Sequence, residues 1–357
     1  MGLSELPLGL TFDDVLLVPR RSDIRSRQDV SVATRLSKRV ELDIPIVAAN
    51  MDTVCETDMA RELGRLGGIG IIHRFLTTEA QAAMVAAVKG DGLQVGAAIG
   101  TDRDAIPRTH ALVDAGADVL VLDIAHGHAG HAIDLVTKLK SEVPNVDLIA
   151  GNVATRSGAE DLVAAGADAI KVGVGPGGVC TTRLVAGVGV PQLTAIDNCA
   201  AEPLVDGDGI TVPIIADGGI RTSGDIAKAL AAGASSVMVG SLLAGTKESP
   251  GELEQSPRGL VKRIRGMASF EALSARALRE GGVVDREYFE QRSPEGVEGT
   301  VAYRGEASRI IAKLVAGLRS GMSYSDARTI EEFWAKAEFV RVTANGVREN
   351  QPHATLV

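Results

Sequence analysis

Residues 169–183 read AIKVGVGPGGVCTTR, and this stretch decides both the fold class and the site. Its first seven residues are apolar on both faces, which is typical of a strand buried in a parallel sheet. A glycine-rich turn then carries Cys180, followed by Thr181, Thr182 and Arg183. Glycines let a backbone approach a ligand closely, while a nearby cation and hydroxyls favour a thiolate. We therefore interpret Cys180 as a catalytic nucleophile rather than as a buried structural cysteine.

Seven further apolar runs of the same kind lie along the chain. They are short and rich in β-branched residues, and they fall at 45–51, 69–73, 95–100, 119–127, 147–153, 213–220 and 237–245. Amphipathic stretches separate them, and several end in AGAD or AGAS, where the glycine is typical of a helix end. Eight strand–helix units predict an α/β fold, a (β/α)8 TIM barrel formed by a single catalytic domain over residues 1–357. A doubly wound open sheet is the alternative, but such a sheet rarely runs to eight regular repeats.

Polar residues and glycines follow these strands at the point where each one ends. They are Asn50, Asp52, His73, Asp123, His126, Asn152, Gly175, Cys180, Asp217 and Gly240. In a barrel, the carboxyl ends of the strands meet at one mouth, which is where the chemistry takes place. A single Asp or Asn in such a loop can be a helix cap. The whole set predicts an active site.

The loops after the last two strands have the composition of a phosphate site. ADGGIRTSGDI begins at residue 216 and VGSLLAG at residue 239. Backbone N–H groups of Gly218, Gly219, Gly240 and Ser241 would form the phosphate cradle that barrels commonly carry at this position. Asp217 precedes the glycines, and its carboxylate would accept hydrogen bonds from a ribose diol.

Residues 246–310, which we call the flap insertion, interrupt the strand–helix repeat. They contain many charges and glycines and no long periodic segment. An insertion of this length is either a disordered tail or a functional flap. Hydrophobic periodicity resumes at RIIAKLVAGLRSGMSY, so residues 311–357 are expected to supply a final helix and a tail. Because a helix that packs on the barrel is expected after the insertion, we interpret the insertion as a functional flap rather than a disordered tail.

Charge and cysteine content exclude several functional classes. The net charge is −9, with a pI near 5.3, which argues against a nucleic-acid-binding protein. Backbone N–H groups and a local arginine suffice to bind a phosphorylated ligand even in an acidic chain. Three cysteines without a CxxC pair or metal-ligand spacing indicate a reducing, cytoplasmic location. The N-terminal MGLSELPLGL shows no export signal or membrane segment.

The active-site loop GVGPGGVCTTR, at 173–183, closely resembles that of the IMP dehydrogenase and GMP reductase family. The resemblance extends from TFDDVLLVP at 11–19 to AEFVRV at 337–342, with several motifs in the order of the family. It implies a purine mononucleotide substrate, GMP or IMP, whose C2 is attacked by the Cys180 thiolate. It also implies a nicotinamide cofactor, a monovalent cation such as K⁺, and a homotetramer. No GxGxxG follows the first strand, so a Rossmann site for the cofactor is not expected.

The resemblance assigns a role to individual positions. The catalytic residues would be Cys180, Thr182 and Glu295. The substrate-binding residues would be Asp217, Gly218, Gly219, Gly240, Ser241, Gly266, Met267, Ala268, Arg292 and Gly296. The cofactor-binding residues would be Ser26, Arg27, Asp123, Ile124, Ala125, Ser320 and Tyr324, with 320–324 reached from a neighbouring subunit. The cation would be held at Gly175, Gly177, Cys180 and Arg183.

Two positions depart from the pattern of the family. Gly178 stands where relatives have Ser or Lys, and Ile264 where they often have Tyr. Both belong to the phosphate neighbourhood in relatives. We therefore expect a reorganised phosphate site, in which backbone donors or Arg265 compensate.

Dehydrogenases of this family hydrolyse the adduct with an Arg-Tyr pair on a mobile flap, whereas reductases use a threonine and a glutamate. In DREYFEQR, at 285–292, Glu287 separates Arg286 from Tyr288, so the pair is lost. Thr182 and the RSPEG run that contains Glu295 match the reductase. A Thr–Glu pair can protonate a leaving amine without activating water. The pattern favours an NADPH-dependent GMP reductase.

Other stretches of the sequence also help to distinguish a reductase from a dehydrogenase. AANMDTV, IIHRF and DIAHGHA look more like reductases, and residues 76–94 are too short to hold the regulatory insertion of most dehydrogenases. CTTRLVAGVGVPQLTAI and PEGVEGTVAYRG resemble bacterial dehydrogenases at least as well. An IMP dehydrogenase without a regulatory domain, producing XMP and NADH, is therefore the alternative.

Two hypotheses lie outside this family. A non-catalytic phosphate-binding barrel would bind a ligand without turnover. An aldolase-type barrel would need a strand-end lysine, and Lys171 lies within a strand, two residues before Gly173. Lys171 is a weaker candidate than Cys180 because of its position in the strand.

We predict that Cys180→Ala abolishes turnover while nucleotide binding survives, because the covalent step is lost and the phosphate cradle is not. Steady-state kinetics and equilibrium binding of the nucleotide measure the two effects separately. A normal kcat in the variant would rule out Cys180 as the nucleophile.

Overall fold

The structure is a computed structural model that describes residues 6–279, 284 and 293–350. The strands, in chain order, are β1 Val15–Leu17, β2 Thr34–Arg35, β3 Glu41–Leu42, β4 Ile46–Ala48, β5 Ile69–Ile72, β6 Val95–Ile99, β7 Val119–Asp123, β8 Asp147–Val153, β9 Ala169–Val172, β10 Ile214–Asp217, β11 Ser236–Val239, β12 Glu254–Ser256, β13 Gly259–Arg265, β14 Glu298–Ala302 and β15 Phe339–Arg341. The fold is built around eight of them.

Strands β4 to β11 are parallel and close into a barrel, each pairing with the next and β11 pairing back with β4. All five residues of β6 are buried, as are all four of β5, β9 and β11. Burial on both faces explains why these strands read as continuous apolar runs. The closed barrel confirms the predicted TIM-barrel fold and excludes the doubly wound sheet.

The helices are α1 Thr57–Arg65, α2 Thr78–Gly90, α3 Ala105–Asp114, α4 Gly130–Glu142, α5 Arg156–Ala164, α6 Thr182–Val185, α7 Gln192–Ala200, α8 Ser223–Ala231, α9 Ser241–Ala244, α10 Phe270–Arg279, α11 Ala307–Tyr324, α12 Ile330–Lys336 and α13 Ala344–Glu349. The glycines of the AGAD and AGAS runs follow α3, α5 and α8 with φ of 92°, 104° and 108°. They end these helices as predicted, because this conformation suits glycine. Among the described residues, no helix is long and apolar enough to cross a membrane.

The last predicted strand, 237–245, is shorter in the structure. It ends at Val239, and Ser241–Ala244 forms one helical turn instead. Leu242 and Leu243 are buried in that turn, so their apolar character reflects packing rather than strand structure.

The flap insertion contains regular structure that its sequence pattern did not indicate. Strands β12, β13 and β14 form an antiparallel sheet, and α10 lies between β13 and β14 in the chain. The long helix that follows begins at Ala307, four residues before the predicted boundary at 311. It packs mainly against α8 of the barrel. Near the end of the chain, β15 pairs with β1, which joins the two ends of the described chain.

The barrel is tightly packed where β9 ends. A Cβ added to Gly173 would lie 2.0 Å from the backbone carbonyl oxygen of Asp217, and Gly173 has a φ of 151°. We predict that Gly173→Ala lowers the free energy of unfolding by about 3 kcal/mol, since it adds a steric clash to backbone strain. Chemical denaturation measures the loss.

Gly207→Ala is the matched control, because nothing lies within 4 Å of a Cβ added there. We expect it to change stability by no more than about 0.5 kcal/mol. Equal stability of the two variants would contradict the tight packing of β9 against β10.

Candidate active site

A cavity of about 360 Å³ opens at the carboxyl ends of the barrel strands. Six of the ten polar or glycine residues predicted to gather there line it: Asn50, Asp123, Asn152, Gly175, Cys180 and Asp217. The flap insertion contributes Gly266, Met267, Ala268, Leu273, Arg276 and Glu295. The cavity is therefore formed jointly by the barrel and by the insertion.

The other four strand-end residues are placed differently. His73 is fully buried, where its Nδ1 accepts the Phe75 N–H at 3.2 Å and its Nε2 lies 3.1 Å from Glu56. Asp52 binds the Arg265 guanidinium, with Nε 3.1 Å from Oδ2. His126 is exposed, and Gly240 precedes α9 without lining the cavity. His73 and Asp52 shape the loops rather than the cavity surface.

Cys180 is the accessible cysteine of the three. Its side chain is partly exposed at the cavity, whereas Cys55 and Cys199 are buried. Burial raises the pKa of the Cys199 thiol to about 12, and it raises the pKa of Cys55 as well. These two thiols therefore stay protonated and unreactive, which leaves Cys180 as the candidate nucleophile.

Cys180, Thr182 and Glu295 form a hydrogen-bonded chain, which we call the proton relay. The Thr182 hydroxyl donates to Glu295 Oε2 at 2.7 Å. Its oxygen is therefore free to accept the Cys180 S–H, whose sulfur lies 3.2 Å away. The geometry allows a proton to pass from the thiol through the hydroxyl to the carboxylate. The three residues predicted to be catalytic are thus in contact with one another.

Backbone contacts hold Glu295 in the relay, although it lies far along the chain from Cys180. The Glu295 carbonyl accepts the Thr181 N–H at 2.9 Å, and its own N–H donates to Ala268 at 3.1 Å. Gly296 bridges to Cys180, and a Cβ on Gly266 would lie 3.2 Å from the Gly296 Cα. The two glycines let the insertion pack against the cysteine loop. Gly296 acts here through its backbone and does not line the cavity.

Lys171 organises the floor of the cavity. Its Nζ lies 2.9 Å from Asp123 Oδ1 and 2.7 Å from Asp217 Oδ2, and it also donates to Asn152 Oδ1. We call these four residues the Lys171 cluster. Burial alone would lower the pKa of Lys171, but the two carboxylates outweigh it and raise that pKa. The side chain is therefore an ammonium ion.

The same contacts decide between two interpretations of Lys171. A Schiff-base lysine must be a neutral amine, and an ammonium held by two carboxylates is not a nucleophile. The structure therefore disfavours the aldolase-type hypothesis.

The same cluster keeps Asp123 charged. Burial alone would raise the pKa of Asp123, but Lys171 and then Arg74 lower it, so Asp123 is ionised. The sequence signal for this cluster is a lysine within an otherwise apolar strand.

Loops predicted to bind phosphate approach one another beside the cavity. Gly218 lines the cavity and packs on Pro176 and Gly177. A Cβ added to Gly178 would lie 3.3 Å from Ser241 Oγ, so the loops after β9 and β11 are adjacent. Gly219, Gly240 and Ser241 do not themselves line the cavity.

Arg265, one of the two alternatives for compensating the reorganised phosphate site, is paired with carboxylates. Its guanidinium binds the buried Asp52 carboxylate and lies 3.6 Å from Glu298. Ile264 is buried within β13. The charge of Arg265 is thus already matched by two carboxylates. Backbone N–H groups remain as the candidate phosphate donors.

The predicted cofactor residues fall into two groups. Asp123, Ile124 and Ala125 line the cavity. Ser26, Arg27, Ser320 and Tyr324 do not line it. Ser26 caps the short helix Arg27–Asp29, which packs against α11, the helix that contains Ser320 and Tyr324. The second group therefore forms a separate surface.

The predicted cation position consists of backbone carbonyls in the cysteine loop. Gly175 and Gly177 line the cavity beside Cys180, and the Gly177 carbonyl accepts the Cys180 N–H at 3.1 Å. Arg183 is placed differently: its guanidinium donates to the carbonyls of Val174 and Val190, so it braces the loop. Carbonyl oxygens suit a hard monovalent cation. Within 6–279, 284 and 293–350, no cluster of His, Cys, Asp and Glu suits a metal ion.

Arg74, Phe75 and Arg276 are among the cavity residues that the sequence analysis did not assign to the site. The two guanidinium groups lie 5.2 and 5.3 Å from the centre of the Phe75 ring. Both also contact Asp102 Oδ2, at 3.3 Å and 2.8 Å. The IIHRF motif contains Arg74, but only the fold shows that α10 meets it. Arg292, predicted to bind substrate, lies outside the described residues.

Comparison with known families identifies the barrel. The model of the IMP dehydrogenase / GMP reductase domain matches residues 9–353. The chain belongs to the IMP dehydrogenase/GMP reductase family. Members are NAD(P)-dependent oxidoreductases that act on purine mononucleotides, so the chain is an enzyme of this class rather than a non-catalytic binding barrel.

Similar proteins include enzymes of both types. The chain is 45% identical to inosine-5′-monophosphate dehydrogenase from Cryptosporidium parvum, covering 99% of this chain and 97% of that one. It is 38% identical to GMP reductase from Leishmania donovani, covering 99% and 98%. A crystal structure of a cysteine-to-alanine variant of GMP reductase from Trypanosoma brucei, in complex with guanosine 5′-monophosphate, aligns with a TM-score of 0.91 at 37% identity over 99% of both chains.

The chain is shorter than one of these relatives. The alignment with the Leishmania donovani enzyme spans 487 positions against 357 residues here, so that relative has at least 130 positions which this chain lacks. In this structure α2 follows β5 closely, and β6 follows α2. The segment after the second barrel strand therefore holds no inserted domain, as predicted.

We predict that Glu295→Gln lowers kcat roughly 10²–10⁴-fold, because the amide cannot take up the proton that Thr182 passes to the carboxylate. Steady-state kinetics measures the loss. Thr182→Val breaks the same relay, while Thr181→Val is its matched control, since the Thr181 side chain makes no capping hydrogen bond. A loss below tenfold in Glu295→Gln would remove Glu295 from the mechanism.

Proposed function

We propose that the chain is a GMP reductase, which uses NADPH to convert GMP into IMP and ammonia through a covalent bond between Cys180 and purine C2. The observation that carries this proposal is the proton relay. It supplies a nucleophile and a route for its proton without any residue of segment 285–292. The interruption of the Arg-Tyr pair by Glu287 supports the same choice.

The relay carries one proton of the proposed reaction, from the thiol to the leaving amine; the two protons consumed overall come from solvent, one to restore the Cys180 thiol and one to convert ammonia into ammonium. Glu295 receives the thiol proton through Thr182 as the Cys180 sulfur bonds to C2 of GMP. Glu295 then returns a proton through Thr182 to the leaving amine, which departs as ammonia. Hydride transfer from NADPH to C2 releases the thiolate and gives IMP. Overall, GMP, NADPH and two protons yield IMP, ammonium and NADP⁺.

The cavity provides separate groups for the two nucleotides. Asp217 would accept the ribose hydroxyls of GMP, with Met267 and Ala268 near the base and backbone N–H groups of Gly218 and Gly219 near the phosphate. Asp123, Ile124 and Ala125 would contact the nicotinamide end of NADPH. Both sets line the same cavity, except for Gly219, which lies next to it.

A monovalent cation, proposed to be K⁺, fits the carbonyls of Gly175, Gly177 and Cys180. When bound, it would neutralise their partial charges and stabilise the loop that presents the thiol. A homotetramer, implied by family resemblance, and a cytoplasmic location, indicated by the cysteine content, stay predictions. The surface formed by Ser26, Arg27, Ser320 and Tyr324 would serve the cofactor only if another copy brought its cavity to it.

IMP dehydrogenase is the second candidate. The 45% identity to the Cryptosporidium enzyme, over nearly the full length of both chains, favours it. That reaction needs a base to activate water after hydride leaves to NAD. Arg286 and Arg292 are the candidates, and both lie outside the described residues.

Absorbance of the reduced nicotinamide distinguishes the two reactions. We expect purified protein to consume NADPH in the presence of GMP, with release of ammonia. We expect no NADH to form from IMP and NAD in the presence of potassium. Formation of NADH with XMP would contradict the reductase and would make Arg286 and Arg292 the residues to test.

A further inference from the structure

Lys171 contacts the carboxylates of both proposed ligand subsites. Asp217 is the carboxylate proposed for the ribose of the purine nucleotide, and Asp123 is the one proposed for the nicotinamide. A single Nζ lies 2.7 Å from the first and 2.9 Å from the second. Its side chain is only 2% exposed, so water does not screen these contacts. The two subsites therefore share one buried charge.

We propose that Lys171 is a positioning residue that couples the binding of the purine nucleotide to the binding of the nicotinamide cofactor. The inference rests on the proposed function, which assigns a ligand to each carboxylate. Hydroxyls that donate to Asp217 reduce the negative charge facing Nζ. The ammonium then interacts more strongly with Asp123 and fixes its orientation for the cofactor. Occupation of either subsite thus prepares the other.

Asn152 holds Asp217 in place, so a ligand that binds this carboxylate also affects its contact with Lys171. Asn152 Nδ2 donates to Asp217 Oδ2 at 2.9 Å and to the Gly173 carbonyl at 2.7 Å. Its Oδ1 therefore faces Lys171 and accepts from Nζ. The Asp217 oxygen that binds Lys171 is thus also held by an oriented amide. A ligand that reduces the negative charge of Asp217 must therefore alter the contact of Asp217 with Lys171 Nζ.

If Lys171 had a purely structural role, a different result would be expected. Its loss would weaken the binding of both ligands alike, because the two carboxylates would repel each other across the cavity floor. The factor by which one ligand increases the affinity for the other would not change. A coupling residue changes that factor, and by linkage the factor is the same whichever ligand is added first.

The test uses full-length protein carrying Cys180→Ala, so that both ligands can bind without turnover. Calorimetric titration gives the affinity for GMP with and without saturating NADPH. With Lys171 in place, we expect NADPH to tighten GMP binding at least about fivefold, within the usual range of coupling between sites. With Lys171→Met added, we expect the factor to fall to about 1. An unchanged factor, or a factor of 1 with Lys171 present, would overturn the proposal.

Lys262→Met in the same background is the matched control. Lys262 is also buried, but its Nζ donates to the Thr246 carbonyl at 3.0 Å and to Ser249 Oγ at 3.2 Å, away from both carboxylates. We expect it to leave the coupling factor unchanged even where stability falls. If Lys171→Met yields no folded protein, Lys171→Gln is measured in its place. A factor near 1 supports the proposal, and a factor equal to that with lysine overturns it.

Parallel titrations with IMP and NAD separate this proposal from the proposed function. If only that pair binds, the reductase assignment fails and the coupling factor is measured with IMP and NAD. The prediction for Lys171→Met is the same for either pair. Binding of neither pair would overturn both the assignment and the coupling.

Discussion

The shape of the active site depends on the contacts that the buried Lys171 ammonium makes with its neighbours. Asp123 ends β7, Asn152 belongs to β8, Lys171 lies in β9 and Asp217 ends β10. One cation thus joins the carboxyl ends of four neighbouring strands. Removing one partner from a buried charge pair typically costs about 3–5 kcal/mol, because the other charge is left uncompensated. The cluster holds in place the two carboxylates that the proposed chemistry assigns to its ligands.

Formation of the proton relay depends on a second contact, between the flap insertion and the cysteine loop. Glu295 reaches Thr182 only because Val297 donates to the Val179 carbonyl at 3.0 Å and Thr181 donates to Glu295 at 2.9 Å. The barrel alone therefore supplies Cys180, the proposed nucleophile, but not Glu295, its proposed proton acceptor. The contacts between the insertion and the cysteine loop therefore complete the relay.

The sequence predicted the barrel because buried parallel strands are apolar on both faces and end in recognisable glycines and carboxylates. It predicted too long a strand at 237–245, since buried leucines in a helical turn have the same apolar character. It did not predict the sheet of the insertion, where β13 carries Lys262, Arg263 and Arg265 among its apolar residues. The pairing of Arg265 with Asp52 joins residues far apart in the chain, so only the fold reveals it. Lys171 was visible as an anomaly in a strand, but its partners were not.

The most direct test of the account is a crystal structure of the protein with GMP bound. We expect the purine C2 to face the Cys180 sulfur, the ribose hydroxyls to contact Asp217, and Glu295 to remain bonded to Thr182. Such a structure would place the nucleophile, the relay and the Lys171 cluster around one ligand. A nucleotide bound outside this cavity, or with C2 turned away from Cys180, would contradict the account.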